Sequence, residues 1–282
     1  MKLKFISTVL FIAISSFNLS RANDDIVLPQ ENKTTSGEGI DYWGDFKESI
    51  SLLVEGSYTQ FTTRNNAYYA AGGVPLVWYS FEEKRRIQSR YGGTEIANII
   101  DHVGDAGVAF NFPIIHFGFY YYGKKSGNNH HVQFAKEYFA AMYLTLIESG
   151  LLSYVDVHQR PVTGDESFWE KEFRGKSSWP SGHVVPYMTL FFKTLQFYGP
   201  AWSIAPLAMS VMASMQRVQD NKHWLPDVTA SLVLSAWASE GVRKAAGYDK
   251  NDPVYKWMFE HDVALGIEQY QGAIGPRFSF SY

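Results

Sequence analysis

The chain has 282 residues, of which 46% are hydrophobic and 16% aromatic, with no cysteine and a formal charge of −3. That apolar content excludes a disordered chain. The absence of thiols excludes a disulfide scaffold, Cys-ligated zinc, iron–sulfur clusters and thiol catalysis, and the charge leaves no basic stripe for nucleic acid.

The first residues read as an address. Lys2 and Lys4 form a positive start, Phe5 to Phe17 an apolar run, and Ser20-Arg21-Ala22 a small-residue cleavage site. This is the pattern of a secretory signal peptide over 1–22, and the run is short for a membrane span. It predicts export, to a bacterial periplasm in keeping with the absence of cysteine. Residues 23–39 are polar and read as a flexible leader.

From residue 40 to 270 the apolar residues mostly recur at helical spacing, which predicts one all-α helical bundle domain. Phe46, Ile50, Leu53 and Val54 mark the apolar face of a helix over 45–58. A second helical region covers 66–88, with a break expected around Gly72-Gly73-Val74-Pro75; its charged end, 82–90, reads as solvated. One or two helices follow over 94–122, where Gly104 and Gly107 mark close contacts or breaks. A long periodic helix over 130–155 leads into a polar loop over 159–180. Helices near 181–198, 200–218, 223–246 and 253–268 complete the bundle. The tail, 271–282, ends in Arg277-Phe278-Ser279-Phe280-Ser281-Tyr282, whose two-residue period is that of a strand. One such segment cannot make a barrel, so it reads as a tail packed on the helices.

Two stretches carry no charge and are long enough to span a membrane, Ala106 to Gly123 and Thr194 to Gln216. They also hold Asn111, Pro113, His116, Pro200, Ser203 and Pro206. With a mean hydropathy of −0.19, they read as buried helices of a water-soluble bundle.

Three segments carry chemistry: Arg160-Pro161, then Pro180-Ser181-Gly182-His183, then Arg217 followed after five residues by His223 and after three more by Asp227. A given tetrapeptide occurs by chance in about two of every thousand chains this long, and here three motifs fall in order beside predicted helix ends. Placed on one helix, His223 and Asp227 share a face. An Asp that accepts from one imidazole nitrogen sets the tautomer and leaves the other as nucleophile. Pro226 is tolerated in the first turn of that helix. Ser181 and Gly182 would open another helix, with backbone N–H groups forming an anion seat. Arg160 and Arg217 offer forked donors that match phosphate oxygens, and His183 is placed to protonate a leaving oxygen. Together these residues form a phosphoryl-transfer site that uses no metal.

This constellation resembles the type 2 phosphatidic acid phosphatase superfamily, which includes class A acid phosphatases, lipid phosphate phosphatases and vanadium haloperoxidases. The family pattern is K-x6-RP, then PSGH, then SR-x5-H-x3-D. The resemblance implies a metal-independent phosphatase, without cofactor, acting on a phosphorylated lipid or small phosphate ester, with peripheral membrane contact. His223 would attack phosphorus to form a phosphohistidine, Asp227 would orient it, and His183 would be the general acid. Arg160, Arg217, Ser181 and Gly182 would hold the phosphate oxygens. The same scaffold also admits a vanadium-dependent haloperoxidase, or a low-activity protein that binds lipid phosphate.

Two positions depart from the pattern. Ser153 stands where the family has Lys, and its side chain is too short to act as that phosphate contact; Lys176 or Lys171 from the following loop would have to supply the charge. Gln216 stands where the family has Ser. The remaining histidines, His102, His116, His130, His131, His158 and His261, lack metal-ligand spacing. His158, close to Arg160, is a secondary candidate for the pocket lining, and Trp179 and Trp224 are candidate apolar walls.

Overall fold

The computed structural model describes residues 41–109, 114–162 and 175–247, together with two strands over 263–270 and 273–280. The expected signal peptide, the leader, Lys171 and His261 lie outside the described residues.

Eight helices are described: α1 (Tyr42–Thr59), α2 (Arg64–Tyr91), α3 (Asn98–Ala109), α4 (His116–Ser126), α5 (Asn129–Leu152), α6 (Val185–Tyr198), α7 (Pro200–Gln219) and α8 (Leu225–Ala245). Their starts follow from the local sequence. Asp41 accepts from Gly44 N at the head of α1, Thr63 from Asn66 N at α2, and Asn128 from His130 N and His131 N at α5. Gly199, at φ 83°, turns the chain between α6 and α7, and Pro200 begins α7 where no N–H is needed.

Helix α8 is the axis of the bundle and packs on α1, α2, α5 and α6. Its buried residues are mostly small, among them Ser231, Ser235, Ala238, Ser239 and Gly241. Close approach follows: a Cβ on Gly56 of α1 would sit 2.7 Å from Val242 Cγ2. Between α5 and α6 lies an aromatic core of Phe134, Tyr138, Met142, Val185 and Phe197. An ion pair is sealed into the same region, Lys193 Nζ to Glu137 Oε2 at 2.8 Å, with both side chains 0% exposed.

The all-α bundle is as expected; several details are not. Helix α2 runs unbroken through Gly72 to Pro75, because Gly73 is where Val233 of α8 packs, 2.5 Å from a would-be Cβ. In the 94–122 region two helices are described, α3 and the start of α4, and both glycines are close contacts, Gly104 with Gln216 and Gly107 with Tyr187. Helix α1 turns the other way from its apolar stripe: it buries Ser49, Leu52 and Gly56, while Trp43, Phe46, Ile50 and Val54 are exposed.

The two uncharged stretches are not buried helices either. Helix α7 buries Ser203, Pro206, Ser210, Ala213 and Gln216 and exposes Trp202, Ile204, Leu207, Val211 and Met215, with Trp202 at 73%. Helix α4 exposes Phe117, Tyr121 and Tyr122. Small residues let helix axes approach, so they win the interface and the bulky side chains face outward. Among the described residues no helix is long and apolar enough to cross a membrane.

At the C-terminus the expected helix over 253–268 is a strand from 263 onward. β1 (Val263–Tyr270) pairs antiparallel with β2 (Ala273–Phe280), with Val263 opposite Phe280 and Tyr270 opposite Ala273. The signal lies in the sequence: Val263, Leu265 and Ile267 alternate like the residues of the tail. The boundary expected at 270 therefore falls inside a hairpin.

Candidate active site

The three motifs lie at element ends, and backbone hydrogen bonds stitch those ends together. The Arg160-Pro161 segment follows α5. His158 O accepts from Ser178 N at 3.0 Å, which joins it to the Ser177–His183 segment. Ser181 N then donates to Asp227 O at 3.1 Å, joining that segment to the first turn of α8. The Arg160 segment meets the same turn from the other side: Trp224 Nε1 donates to Gln159 O at 2.7 Å, and Val162 N to Asn221 O at 3.4 Å. Arg160, half-buried, lies between those two anchors. His223 N donates to Arg217 O at 3.0 Å, which holds the nucleophile candidate against the end of α7.

Asp227 is fully buried. His223 precedes α8 rather than lying on it, yet its Nδ1 reaches Asp227 Oδ2 at 3.1 Å. The Trp224 backbone N–H donates to the same oxygen at 2.9 Å, closing the N-terminal turn. Pro226 is within that first turn, as expected. The other oxygen, Oδ1, accepts from His158 Nε2 at 2.7 Å. Burial alone would raise the Asp227 carboxyl, but the hydrogen bonds from His158 and His223 hold it well below the usual carboxylate range.

The expectation for Ser181 and Gly182 changes. Ser181 and Gly182 do not open α6, which begins at Val185 after Val184. The Ser181 N–H is committed to Asp227 O, so it is not a donor of an anion seat; Ser181 Oγ is buried with no hydrogen-bond partner among the described residues. Arg217 Nε and a terminal nitrogen bond Gln216 Oε1 and Asp105 Oδ1, at 3.0 and 3.1 Å. Gln216 takes the Ser position of the motif, but its amide donates to Asp101 and Asp105 of α3. Lys176 is exposed.

Ser153 is structural. It caps the end of α5, its Oγ donating to Gly150 O at 2.6 Å and accepting from Gly175 N at 2.9 Å, while its carbonyl accepts from Ser177 N. A Cβ on Gly175 would run into the Ser153 backbone. The position thus pins the returning loop at the cost of the long cationic arm.

The charged end of α2 is not wholly solvated. Lys84 Nζ lies 3.3 Å from His158 Nδ1 and over the rings of Phe81 and Trp224, at 5.6 and 5.3 Å. This lysine comes from α2, some seventy residues upstream of His158, so no local motif could have flagged it.

Residues 138–246, which span α5 to α8 and all three motifs, match the family model of the PAP2 superfamily. Over that segment the chain is similar to the PAP2 superfamily. No curated protein and no solved structure matches the chain. The PAP2 superfamily is one of phosphatase hydrolases and haloperoxidase-type proteins, and the matched segment contains His158, His223, Trp224 and Asp227, while Phe81 and Lys84 lie before it.

Proposed function

We propose that this PAP2-like domain is a metal-independent phosphatase working through a phosphohistidine. The observation that carries it is the His223–Asp227 pair, buried and joined by backbone hydrogen bonds to the segment bearing His183. With Nδ1–H given to Asp227, Nε2 of His223 is the attacking nitrogen. It forms a bond to phosphorus as the ester P–O bond breaks. His183 donates a proton to the leaving alcohol. Water, giving its proton back to His183, then cleaves the P–N bond and releases inorganic phosphate. Asp227 stays ionised throughout and stabilises the imidazolium that would form at His223. Arg160, Arg217, Gly182 and Lys176 are the candidates to hold phosphate oxygens; Arg217 would exchange Asp105 for substrate.

A lipid substrate is the reading we favour. A groove of about 450 Å³, almost wholly apolar, runs between α2, α7 and α8. Its lining includes Ile87, Leu207, Met215, Leu225 and Val228, two of which flank Asp227 along α8. It suits an acyl or prenyl chain whose phosphate lies at His223. The outward apolar rows of α1 and α7 support peripheral contact with a membrane surface, and the N-terminal address supports action after export.

The test is phosphate release, without added metal, from a panel of isoprenyl diphosphate, phosphatidate and soluble esters. Release from the lipid members, inhibited by vanadate, is expected. Tight lipid-phosphate binding without turnover would favour a binding protein. Halide oxidation by peroxide after vanadate loading would favour a haloperoxidase.

A further inference from the structure

The catalytic pair uses only one oxygen of Asp227. Oδ2 accepts from His223 Nδ1 and from the Trp224 backbone. Oδ1 accepts from His158 Nε2 at 2.7 Å, the shorter of the two imidazole contacts. A neutral imidazole donates from one nitrogen and accepts at the other, and an ammonium only donates. Lys84 Nζ, 3.3 Å from His158 Nδ1, therefore selects the tautomer with its proton on Nε2. That is the tautomer Asp227 requires.

The ring is held from its other sides as well. Phe81 meets it edge-on with ring centres 5.5 Å apart, and Trp224 at 6.1 Å. Its own carbonyl is tied to Ser178 N. A buried carboxylate bonded at one oxygen can still rotate about its last torsion, which is broad and roughly two-fold. Bonded at both oxygens, it has one setting.

Resting on the phosphatase reading above, we propose that His158 is a positioning residue of the reaction: with its tautomer set by Lys84, it holds Asp227 in the rotation that presents Oδ2 to His223. It acts on turnover through Asp227 and touches no substrate. Among the described residues, the titratable and charged groups facing this cluster include Lys84 from α2, His223 from the turn before α8, and Asp227 from α8 itself. The role is unlike that of a wall residue, because deleting a wall would change substrate affinity first.

The experiment uses the full chain and para-nitrophenyl phosphate, with histidine ¹⁵N spectra as a readout independent of activity. His158→Ala is expected to lower kcat roughly 10–100-fold, the usual range for a residue that orients a functional group from behind, with KM changed less than about twofold. His158→Gln, which can still donate an N–H to Oδ1, should recover part of that loss. In the wild-type spectrum His158 should show an unprotonated Nδ1, and Lys84→Met should mix the tautomers where Lys84→Arg does not. Unchanged kcat in folded His158→Ala, a loss confined to KM, or a protonated Nδ1 in neutral wild-type His158 would each overturn the proposal. Should His158→Ala not fold, His158→Gln and the Lys84 spectra still decide it. Full activity in His223→Ala would sink the phosphohistidine reading, and the role with it; the spectra would separately report whether the His158–Asp227 bond exists.

Discussion

One backbone hydrogen bond, Ser181 N to Asp227 O at 3.1 Å, fixes the segment carrying His183 to the helix start carrying the His223 pair. The proposed general acid, His183, and the proposed nucleophile, His223, thus belong to separate elements whose spacing depends on this contact. Ser231 backs it up from one turn further along α8, its Oγ lying 2.7 Å from Ser181 O and 2.9 Å from Asp227 O. Ser231→Ala should cost about 1–2 kcal/mol and lower kcat more than it raises KM. Denaturant unfolding and steady-state phosphate release check both parts.

Asp227→Asn keeps the shape and removes the charge. The amide cannot accept at both positions from His158 and His223, so the nucleophile loses its orientation. A fall in kcat of roughly 10²–10⁴-fold is expected. The carboxyl is depressed in the folded state, so its contribution to stability is present above the ordinary carboxylate range and lost as pH falls through the folded value. The stability gap between wild type and Asp227→Asn should therefore narrow toward low pH, as read by chemical denaturation at a series of pH values.

Glu148 on α5 behaves in the opposite sense. Burial pushes its carboxyl up to about 7, against a hydrogen bond from Gln60 that pulls it down. The unfolded chain releases this proton near the ordinary value of 4.5, while the folded chain keeps it until near 7. Stability from this group is complete below the lower value and declines as pH rises between the two. The loss is on the order of 3 kcal/mol, because each pH step of one between the two values is worth about 1.4 kcal/mol. Melting curves across that window should fall for wild type and flatten for Glu148→Gln.

Ser153→Lys would restore the family residue by name but not by function. The side chain at 153 is buried against Gly150 and Gly175, where a lysine stem has no room. Loss of roughly 1–3 kcal/mol is expected, with no gain in turnover. A rise in kcat at unchanged stability would show that the position still faces substrate.

What the sequence made legible is what is local. Arg217, His223 and Asp227 span eleven residues, and the turn before α8, rather than a shared helix face, brings His223 Nδ1 to Asp227 Oδ2. The Pro180–His183 segment was legible as a motif, but its partner Asp227 was not, because that bond is between backbones. Apolar spacing found α1 and misjudged its face: Gly56 against Val242 is a packing preference for smallness that hydrophobicity does not encode. Lys84 was hidden in a charged run, and only the approach of α2 to Trp224 reveals it. β1 was masked by helix-forming neighbours, although its alternation matched that of β2.

The central claim is that His223 carries the phosphoryl group. Rapid quenching with ³²P-labelled phosphate ester, followed by peptide mapping, tests it most directly. A transient label on His223 is predicted, stable to alkali and lost in acid, present in wild type and absent from His223→Ala. Phosphate release by wild type with no labelled histidine at any quench time, or a label that persists in His223→Ala, would contradict it.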